Sequence, residues 1–474
     1  MADDSGTDSF LDDFYPYRES RTFRSIPTEP VSRAEVLEQV TTMAHREDAM
    51  GDAGRVSGSI YSGDHEHYEF LTQVYGQFAH ANVLQRDMYP SATKFESEIV
   101  AMTASMLRAD AAAAAGSDPG GVVTSGGSES LISALYAYRE HAAVTRGVKA
   151  PNVVIPRSAH VALDKGAHWM GIEVRHAPLG DDWLVDVDAA AAMVDDQTIA
   201  LVGSAGNYGH GLIDPIERLS EVALSNGIGL HVDGCLGGFI WPWAERLGYP
   251  VPAWDFRVPG VTSISADTHK YGYGLKGTSV LVFRDKSMRS NLWFTAAEWP
   301  GGLYLSPGIA GSRSGGLIAS TWAAMVTTGE EGYLNAARGI LETAATIRDG
   351  IRDRMPQLKV IGDPLFLIAF ASDELDIYLV NDGLKEKGWR LNALHLPPAL
   401  HFAVTRPNTR PGIADEFLND LQWAVEYAQA HHGEPAASGA VYGIANTPAG
   451  FETIAALMGG VLDLMYEPAP ELPA

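Results

Sequence analysis

The sequence predicts an α/β fold, with a mostly parallel sheet covered by helices on both faces. Between Gly121 and Arg284, short apolar runs alternate with stretches that have helical spacing. The runs are apolar throughout, which is typical of strands buried on both faces. The chain has 474 residues, more than a single core usually holds, so we expect one large domain followed by a smaller one.

The elements of this region follow in a regular order. Strands are predicted at 152–156, 172–177, 198–204, 229–233, 261–266 and 278–283. Helices are predicted at 129–143, 161–169, 187–194 and 216–225. Residues 111–121 are an alanine tract running into glycine and proline, and we expect a loop there. Ligands bind at the carboxyl ends of parallel strands, so motifs at those ends are the candidate site.

The rest of the chain divides into three further parts. Residues 1–30 are polar and acidic and predict a disordered or loosely docked extension. Residues 31–115 predict an N-terminal helical segment, with Ser32 as the first N-cap. The large domain is expected at 116–325, and a smaller C-terminal α+β domain with its tail at 326–474. Within the large domain, residues 301–316 are rich in glycine and proline and form a candidate functional loop.

Composition excludes several classes of protein. A net charge of −25 argues against a nucleic-acid partner and against tight adsorption to anionic lipid. The single cysteine, Cys235, allows neither an intrachain disulfide nor a cysteine-based zinc site. No run of 18 apolar residues occurs, and the acidic N-terminus does not resemble a signal peptide. We expect a soluble, cytoplasmic protein with no metal and no integral membrane segment.

The segment 263–277 places a lysine after a predicted strand and before a glycine-rich turn. Lys270 lies beside an apolar floor, so we expect it to lose hydration and to have a pKa low enough for imine formation. Lys276 is the competing lysine. His269 directly precedes Lys270 and can donate to a phosphate, which favours Lys270.

Three further features complete a chemical set. Asp233 ends the strand predicted at 229–233 and could pair with a protonated pyridine nitrogen, making the ring an electron sink. Gly127 and Ser128 open a helix whose free N–H groups could bind a phosphate. His160, at another strand end, could stack on the ring. Singly, each residue also fits an ordinary surface or capping role. Together they predict an enzyme dependent on pyridoxal 5′-phosphate (PLP).

In their order, these motifs resemble the sphingosine-1-phosphate lyases, fold-type-I PLP enzymes related to the group II amino-acid decarboxylases. The resemblance runs from about Tyr61 to Tyr442. Besides the lysine segment, it includes residues 301–304, 310–313 and 439–443. It implies the fold-type-I PLP-dependent transferase fold, with a mostly parallel sheet of the seven-stranded type.

The resemblance also implies roles for individual residues and a homodimer with shared active sites. Lys270 would carry the imine, Asp233 would pair with the ring nitrogen, His160 would stack on the ring, and Tyr304 would join them in catalysis. The cofactor phosphate would be held by Gly127, Ser128 and His269, and by Gly311 and Ser312 of the other subunit. The substrate would be bound by Tyr61, Asn82, Gln85, Lys276 and Tyr442.

The chain departs from the lyases around the substrate. Gln85 stands where the lyases have a histidine, and a neutral amide cannot supply a charge-assisted bond to phosphate. Arg86 is the candidate to compensate, and residues 204–211 and Gly234 also differ. We expect a lyase that cleaves a small amphiphilic phosphorylated amine to a fatty aldehyde and phosphoethanolamine. The alternatives are a PLP-dependent amino-acid decarboxylase and a non-catalytic PLP-fold dimer used for binding.

Overall fold

The structure is a computed structural model that describes Tyr15, Tyr17 and residues 19–439 and 448–470. Tyr442 and the first 14 residues lie outside the described part, so the predictions made for them stay predictions. Ser32 caps the first helix as expected, because its side chain accepts a hydrogen bond from the Glu35 amide.

A seven-stranded sheet forms the centre of the molecule. Its strands are β1 (Gly120–Thr124), β2 (Asn152–Pro156), β3 (Glu173–Ala177), β4 (Thr198–Ser204), β5 (Gly229–Asp233), β6 (Ser263–Ala266) and β7 (Ser279–Phe283). They are ordered β1-β7-β6-β5-β4-β2-β3. Only β7 runs antiparallel to its neighbours. The prediction of a mostly parallel sheet is confirmed, and β2, β4 and β5 have the predicted bounds.

Helices precede and cover this sheet. They are α1 (Arg33–Asp52), α2 (His65–Gln77), α3 (Pro90–Met106), α4 (Ala109–Ala114), α5 (Gly127–Arg146), α6 (Ala162–Met170), α7 (Val187–Ala192), α8 (Ile216–Asn226), α9 (Trp241–Arg246) and α10 (Lys286–Arg289). The strands between them are almost fully buried, with the exception of the edge strand β3.

The loop predicted at 111–121 is confirmed only at 115–119 and is wrong at both ends. Its alanines continue helix α4, since alanine has the highest helix propensity. Its glycines begin β1, which pairs with β7 at the edge of the sheet. A side-chain carbon at Gly121 would lie 2.6 Å from the Leu281 carbonyl oxygen, so close strand packing requires glycine there. Glycine indicated a turn in the sequence, but here it permits close strand contact.

A second, antiparallel sheet follows. Its strands are β10 (Lys359–Val360), β11 (Leu367–Ala371), β12 (Asn392–His395) and β13 (Pro398–Ala403), in the order β10-β11-β13-β12. The accompanying helices are α11 (Gly315–Arg354), α12 (Ile377–Glu386), α13 (Ile413–Ala430) and α14 (Pro448–Met465). The predicted division at residue 325 falls within α11, and the domain bounds themselves stay predictions.

The glycine-rich segment at 301–316 is partly ordered as a hairpin. Strands β8 (Phe294–Ala296) and β9 (Tyr304–Ser306) pair antiparallel, and α11 begins at the end of the segment. Within the described residues, no helix is long and apolar enough to cross a membrane.

Candidate functional site

The carboxyl ends of β5 and β6 bring the predicted lysine and acid to one edge of the sheet. Lys270 follows β6 by four residues, and 25% of its side chain is exposed. Its Nζ lies 2.8 Å from Oδ2 of Asp267, which directly follows β6 and is 1% exposed. The lysine is therefore held by an ion pair that the sequence interpretation did not include, although Asp267 stands only three residues before it.

The expected lowering of the Lys270 pKa is wrong for the free side chain. Burial alone lowers the pKa, as the sequence argument assumed. The negative charge of Asp267 outweighs burial and raises the pKa of Lys270 above its usual value. Without the cofactor, Lys270 is thus an ammonium ion.

Asp233 lies where a cationic ring nitrogen would suit it. It is 7% exposed, and its Oδ1 accepts hydrogen bonds from the Cys235 amide at 3.0 Å and the Ser265 hydroxyl at 3.5 Å. Behind it, burial lowers the pKa of His231 to about 4, so this imidazole is neutral. Across the described chain Asp233 has no ion-pair partner, and a protonated pyridine nitrogen fits this requirement.

The start of α5 has the geometry of a phosphate cradle. Gly127 begins the helix, and no side chain caps it. A side-chain carbon at Gly127 would lie 2.8 Å from Asp267 Oδ2 and 2.9 Å from Cys235 Sγ, so only glycine fits. The next residue, Ser128, is exposed. An uncapped helix N-terminus with close backbone access suits the cofactor phosphate.

His160 follows the last residue of β2 by four residues, and its Nδ1 accepts a hydrogen bond from the Ala162 amide at 3.1 Å. Its ring lies 6.3 Å from the Tyr208 ring, nearly perpendicular to it. Tyr208 in turn contacts His401 of β13, with 5.0 Å between ring centroids. Sequence interpretation missed Tyr208, although its place shortly after β4 was a usable signal.

A cavity of about 410 Å³ contains three of the predicted residues, Tyr61, His269 and Lys276. The Lys276 ammonium lies 4.6 Å from the centre of the Tyr61 ring. Burial raises the pKa of Tyr61 to about 12. The Lys276 side chain is exposed to solvent. Partial loss of its hydration in the cavity, together with the positive charge of Lys270, lowers its pKa to about 8.

Five of the other predicted residues form a separate group, the rim: Asn82, Gln85, Tyr304, Gly311 and Ser312. Asn82 donates to the Ser312 hydroxyl at 3.0 Å, and a side-chain carbon at Gly311 would lie 3.1 Å from the Tyr304 hydroxyl. Gln85 is exposed. In the described part of this single chain, these residues form no hydrogen bond, ion pair or ring contact with Lys270, Asp233 or His160.

Arg86 does not replace the missing histidine. Its guanidinium donates to Glu96 Oε2 at 3.0 Å and to Thr93 Oγ1 at 3.1 Å. Arg313 reaches the same Glu96 oxygen at 3.2 Å. Glu96 is 8% exposed, and a buried carboxylate requires such partners. Arg86 therefore helps fasten the segment that contains Asn82 to the one that contains Ser312.

Comparison with known proteins shows the family of this chain. The family model for the pyridoxal-dependent decarboxylase conserved domain matches residues 59–371. The Arabidopsis thaliana sphingosine-1-phosphate lyase is 44% identical over 84% of this chain and 73% of its own length. The corresponding lyase 1 of Rattus norvegicus is 39% identical over 94% of this chain and 78% of its own length.

Solved structures give the same result. The sphingosine-1-phosphate lyase of Burkholderia pseudomallei has a TM-score of 0.90 and 47% identity, covering 96% of this chain and 99% of its own. A glutamate decarboxylase of Lactobacillus brevis has a TM-score of 0.73 at 22% identity, covering 89% of this chain and 98% of its own, and shows only the shared fold. The chain therefore belongs to the sphingosine-1-phosphate lyase family and is a PLP-dependent lyase.

Proposed function

We propose that this chain cleaves the C2–C3 bond of a phosphorylated 2-amino-3-hydroxyalkane of the sphingosine-1-phosphate type. The products are a long-chain aldehyde and phosphoethanolamine. The observation that carries the proposal is the position of a second lysine. Lys276 lines the same cavity as Tyr61 and His269, and the positive charge of Lys270 contributes to its lowered pKa. A cation beside the cofactor lysine suits a substrate phosphate. The relatives named for this activity support the assignment.

In this proposal, the bound cofactor supplies the electron sink for the pair left on C2 when the bond breaks. Lys270 joins the cofactor to the chain, and Asp233 keeps its ring nitrogen protonated. His160 stacks on the ring, and Gly127, Ser128 and His269 bind its phosphate.

The remaining residues handle the substrate and its protons. Lys276 holds the substrate phosphate, whose second pKa is about 6 and which accepts the 3-hydroxyl proton as the aldehyde forms. Burial raises the pKa of Tyr61 to about 12, so its hydroxyl is protonated when C2 needs a proton. Tyr61 donates that proton to C2, and its phenolate takes one back from the substrate phosphate before phosphoethanolamine leaves.

We further propose that a second copy of the chain completes the site. Tyr304, Gly311 and Ser312 lie on or beside the β8–β9 hairpin, apart from Lys270. The hairpin also exposes apolar side chains, with Leu303 85% and Leu305 62% accessible. In a homodimer, these surfaces would be covered and the rim would face the partner's lysine. Light scattering after size-exclusion chromatography should give a dimer, and Leu303→Glu should give monomers.

A cytoplasmic location stays a prediction from composition.

Product analysis tests the activity. The PLP-loaded protein is incubated with sphingosine 1-phosphate, and aldehyde and phosphoethanolamine are measured by mass spectrometry. We expect both products, none from Lys270→Ala, and little cleavage of sphingosine, which lacks the phosphate. Carbon dioxide release from an amino acid without aldehyde formation would instead establish the decarboxylase. Neither product, together with no visible absorbance from bound PLP, would indicate a binding protein.

A further inference from the structure

The cavity that contains Lys276 has two walls, which come from different parts of the chain. The first wall is the segment 59–64, which includes Tyr61 and ends where α2 begins. The second wall is the turn 268–276, which follows β6 and ends at Lys276. The distance of 4.6 Å between the Lys276 ammonium and the centre of the Tyr61 ring therefore depends on how the two walls are held together.

Arg406, three residues after β13, contacts both walls at once. In the first wall its guanidinium donates to Ser62 Oγ at 3.0 Å and to Asp64 Oδ2 at 3.3 Å. In the second wall it lies 5.4 Å from the centre of the Tyr273 ring, a distance at which a cation is attracted to an aromatic face. The Arg406 amide also donates to the Tyr61 carbonyl oxygen at 3.3 Å. Arg406 thus joins the two walls to each other.

Tyr273 has a backbone conformation that requires such support. Its φ is +61°, in the left-handed region that a bulky side chain disfavours, and such residues persist only where their surroundings fix them. The Tyr273 carbonyl oxygen accepts a hydrogen bond from His67 Nε2 at 2.8 Å, and its ring stacks on Tyr333 with 5.8 Å between centroids. Arg406 supplies the third contact. Because Lys276 follows Tyr273 by three residues, the place of its ammonium depends on this turn.

We propose that Arg406 is a positioning residue that keeps Tyr61 and Lys276 facing each other across the substrate cavity. It acts through its contacts with Asp64 and Tyr273, because Arg406 itself does not line the cavity. The inference deepens the proposed function, since it rests on the role of Lys276 in holding the substrate phosphate.

The pKa of Lys276 is a measure of how closely the walls approach. Partial loss of hydration is the largest cause of its lowered pKa; the charge of Lys270 lowers it further and that of Asp267 raises it. Walls that separate would admit water and return the pKa toward the usual lysine value of about 10.4. The other titratable groups that line the cavity are Asp48, Asp52, Tyr61, His65, Tyr68 and His269. Replacing Arg406 leaves all of these groups in the chain.

The first test titrates Lys276 in the PLP-loaded protein. Competitive labelling with acetic anhydride from about pH 6.5 to about pH 10.5, read by tandem mass spectrometry, gives the pKa of this one amine. Arg406→Leu should raise that pKa by about 1 relative to the wild type, because water enters between the walls. The matched control is Arg410→Leu, which removes an arginine of the same segment that bonds the Ala53 carbonyl oxygen and Glu416. The control should leave the Lys276 pKa unchanged.

A second variant separates positioning from the loss of a charge. Removing the positive charge of Arg406 would by itself raise the pKa of Lys276. Asp64→Asn instead removes a negative charge, so charge alone would lower that pKa, whereas the lost contact with Arg406 should raise it by about half as much as Arg406→Leu does. The N-cap of α2 stays in place, since asparagine and aspartate cap helices equally well. A lower or unchanged Lys276 pKa in Asp64→Asn, or no rise in Arg406→Leu, would overturn the proposal.

The second test uses turnover and separates this inference from the proposed function. With sphingosine 1-phosphate, Arg406→Leu should raise KM about three- to tenfold, with little change in kcat or in the absorbance of bound PLP. Arg406→Lys keeps the charge but lacks the planar fork, so it should restore only part of the loss. A fall in kcat at unchanged KM, or an equal defect in Arg410→Leu, would show a general structural role and contradict the proposal. If the wild type does not cleave this substrate, the proposed function fails, and the titration of Lys276 still decides the role of Arg406.

Discussion

The floor and the rim of the site are built in different ways. The floor residues Asp233, Asp267 and Lys270 stand at the ends of two neighbouring parallel strands, and the sheet ladder fixes their positions. The rim is held by contacts between loops, such as the Val83 amide to the Arg313 carbonyl at 3.0 Å. The floor residues lie together within one chain, whereas the rim residues form no described contact with Lys270, Asp233 or His160 in that chain. We infer that the floor determines the chemistry and that the substrate is bound outside it, by Lys276 together with the rim.

The largest effect on turnover is expected from replacing Lys270, a floor residue. Lys270→Ala should lower turnover by at least about 1,000-fold, since no other residue has its place at the end of β6. Steady-state kinetics with PLP in excess would measure the loss. Lys276→Ala provides the contrast, because it should retain the absorbance of bound cofactor. Full turnover by Lys270→Ala would contradict the conclusion that the floor determines the chemistry.

Asp233→Asn tests the second floor residue. An amide cannot hold a pyridine nitrogen protonated, so kcat should fall by roughly 100- to 1,000-fold while PLP still binds. The matched control, Asp255→Asn, removes a buried acid paired with Arg257 and should change kcat little. A loss confined to KM would show that Asp233 acts on substrate binding instead.

Lys276→Met tests a cavity residue that belongs to neither the floor nor the rim. Losing a charge-assisted contact should reduce kcat/KM for the phosphorylated substrate by about 10- to 100-fold, with little change in PLP affinity. The exposed Lys165, beside Trp169, supplies the control substitution Lys165→Met.

The pH dependence of kcat/KM also tests the role of the Lys276 charge. The pKa of Lys276 is lowered to about 8, so the side chain is charged below that value and neutral above it. Wild-type kcat/KM for the phosphorylated substrate should therefore fall as pH rises through about 8. Lys276→Met should lack this fall, and an unchanged alkaline limb in the variant would assign it to another group.

The smallest effect is expected at Gln85. Its side chain is exposed and makes no hydrogen bond in the described chain, and Lys276 already offers a cation to the phosphate. Gln85→His should change kcat/KM by no more than about threefold, within the range of a weak surface contact. A gain of tenfold or more, measured in parallel with the wild type, would place a phosphate-binding role at this rim position.

The sequence predicted the floor better than the rim for a physical reason. Apolar runs and strand ends are local patterns, so strands β2, β4 and β5 and the positions of Asp233 and Lys270 were predictable. Strand β1 was not, because its glycines serve close packing against a distant strand. The same limit applies to Arg86, whose partner Glu96 is fixed by tertiary contacts alone.

Charge coupling was the other feature that local reasoning could not resolve. The predicted lowering of the Lys270 pKa was wrong, because the charge of Asp267 outweighs burial and its position depends on where β6 ends. Whether Tyr304, Gly311 and Ser312 serve a partner's site depends on a second copy of the chain. The resemblance to the lyases implies that arrangement, and the oligomer measurement tests it.

The most direct test of the account is to locate the cofactor on the chain. The PLP-loaded protein is reduced with borohydride, digested, and the modified lysine is identified by tandem mass spectrometry. We expect a single pyridoxyl group on Lys270, none on Lys276, and no labelling of Lys270→Ala. Labelling at Lys276 or elsewhere, with Lys270 unmodified, would contradict the assignment of the floor and the mechanism built on it.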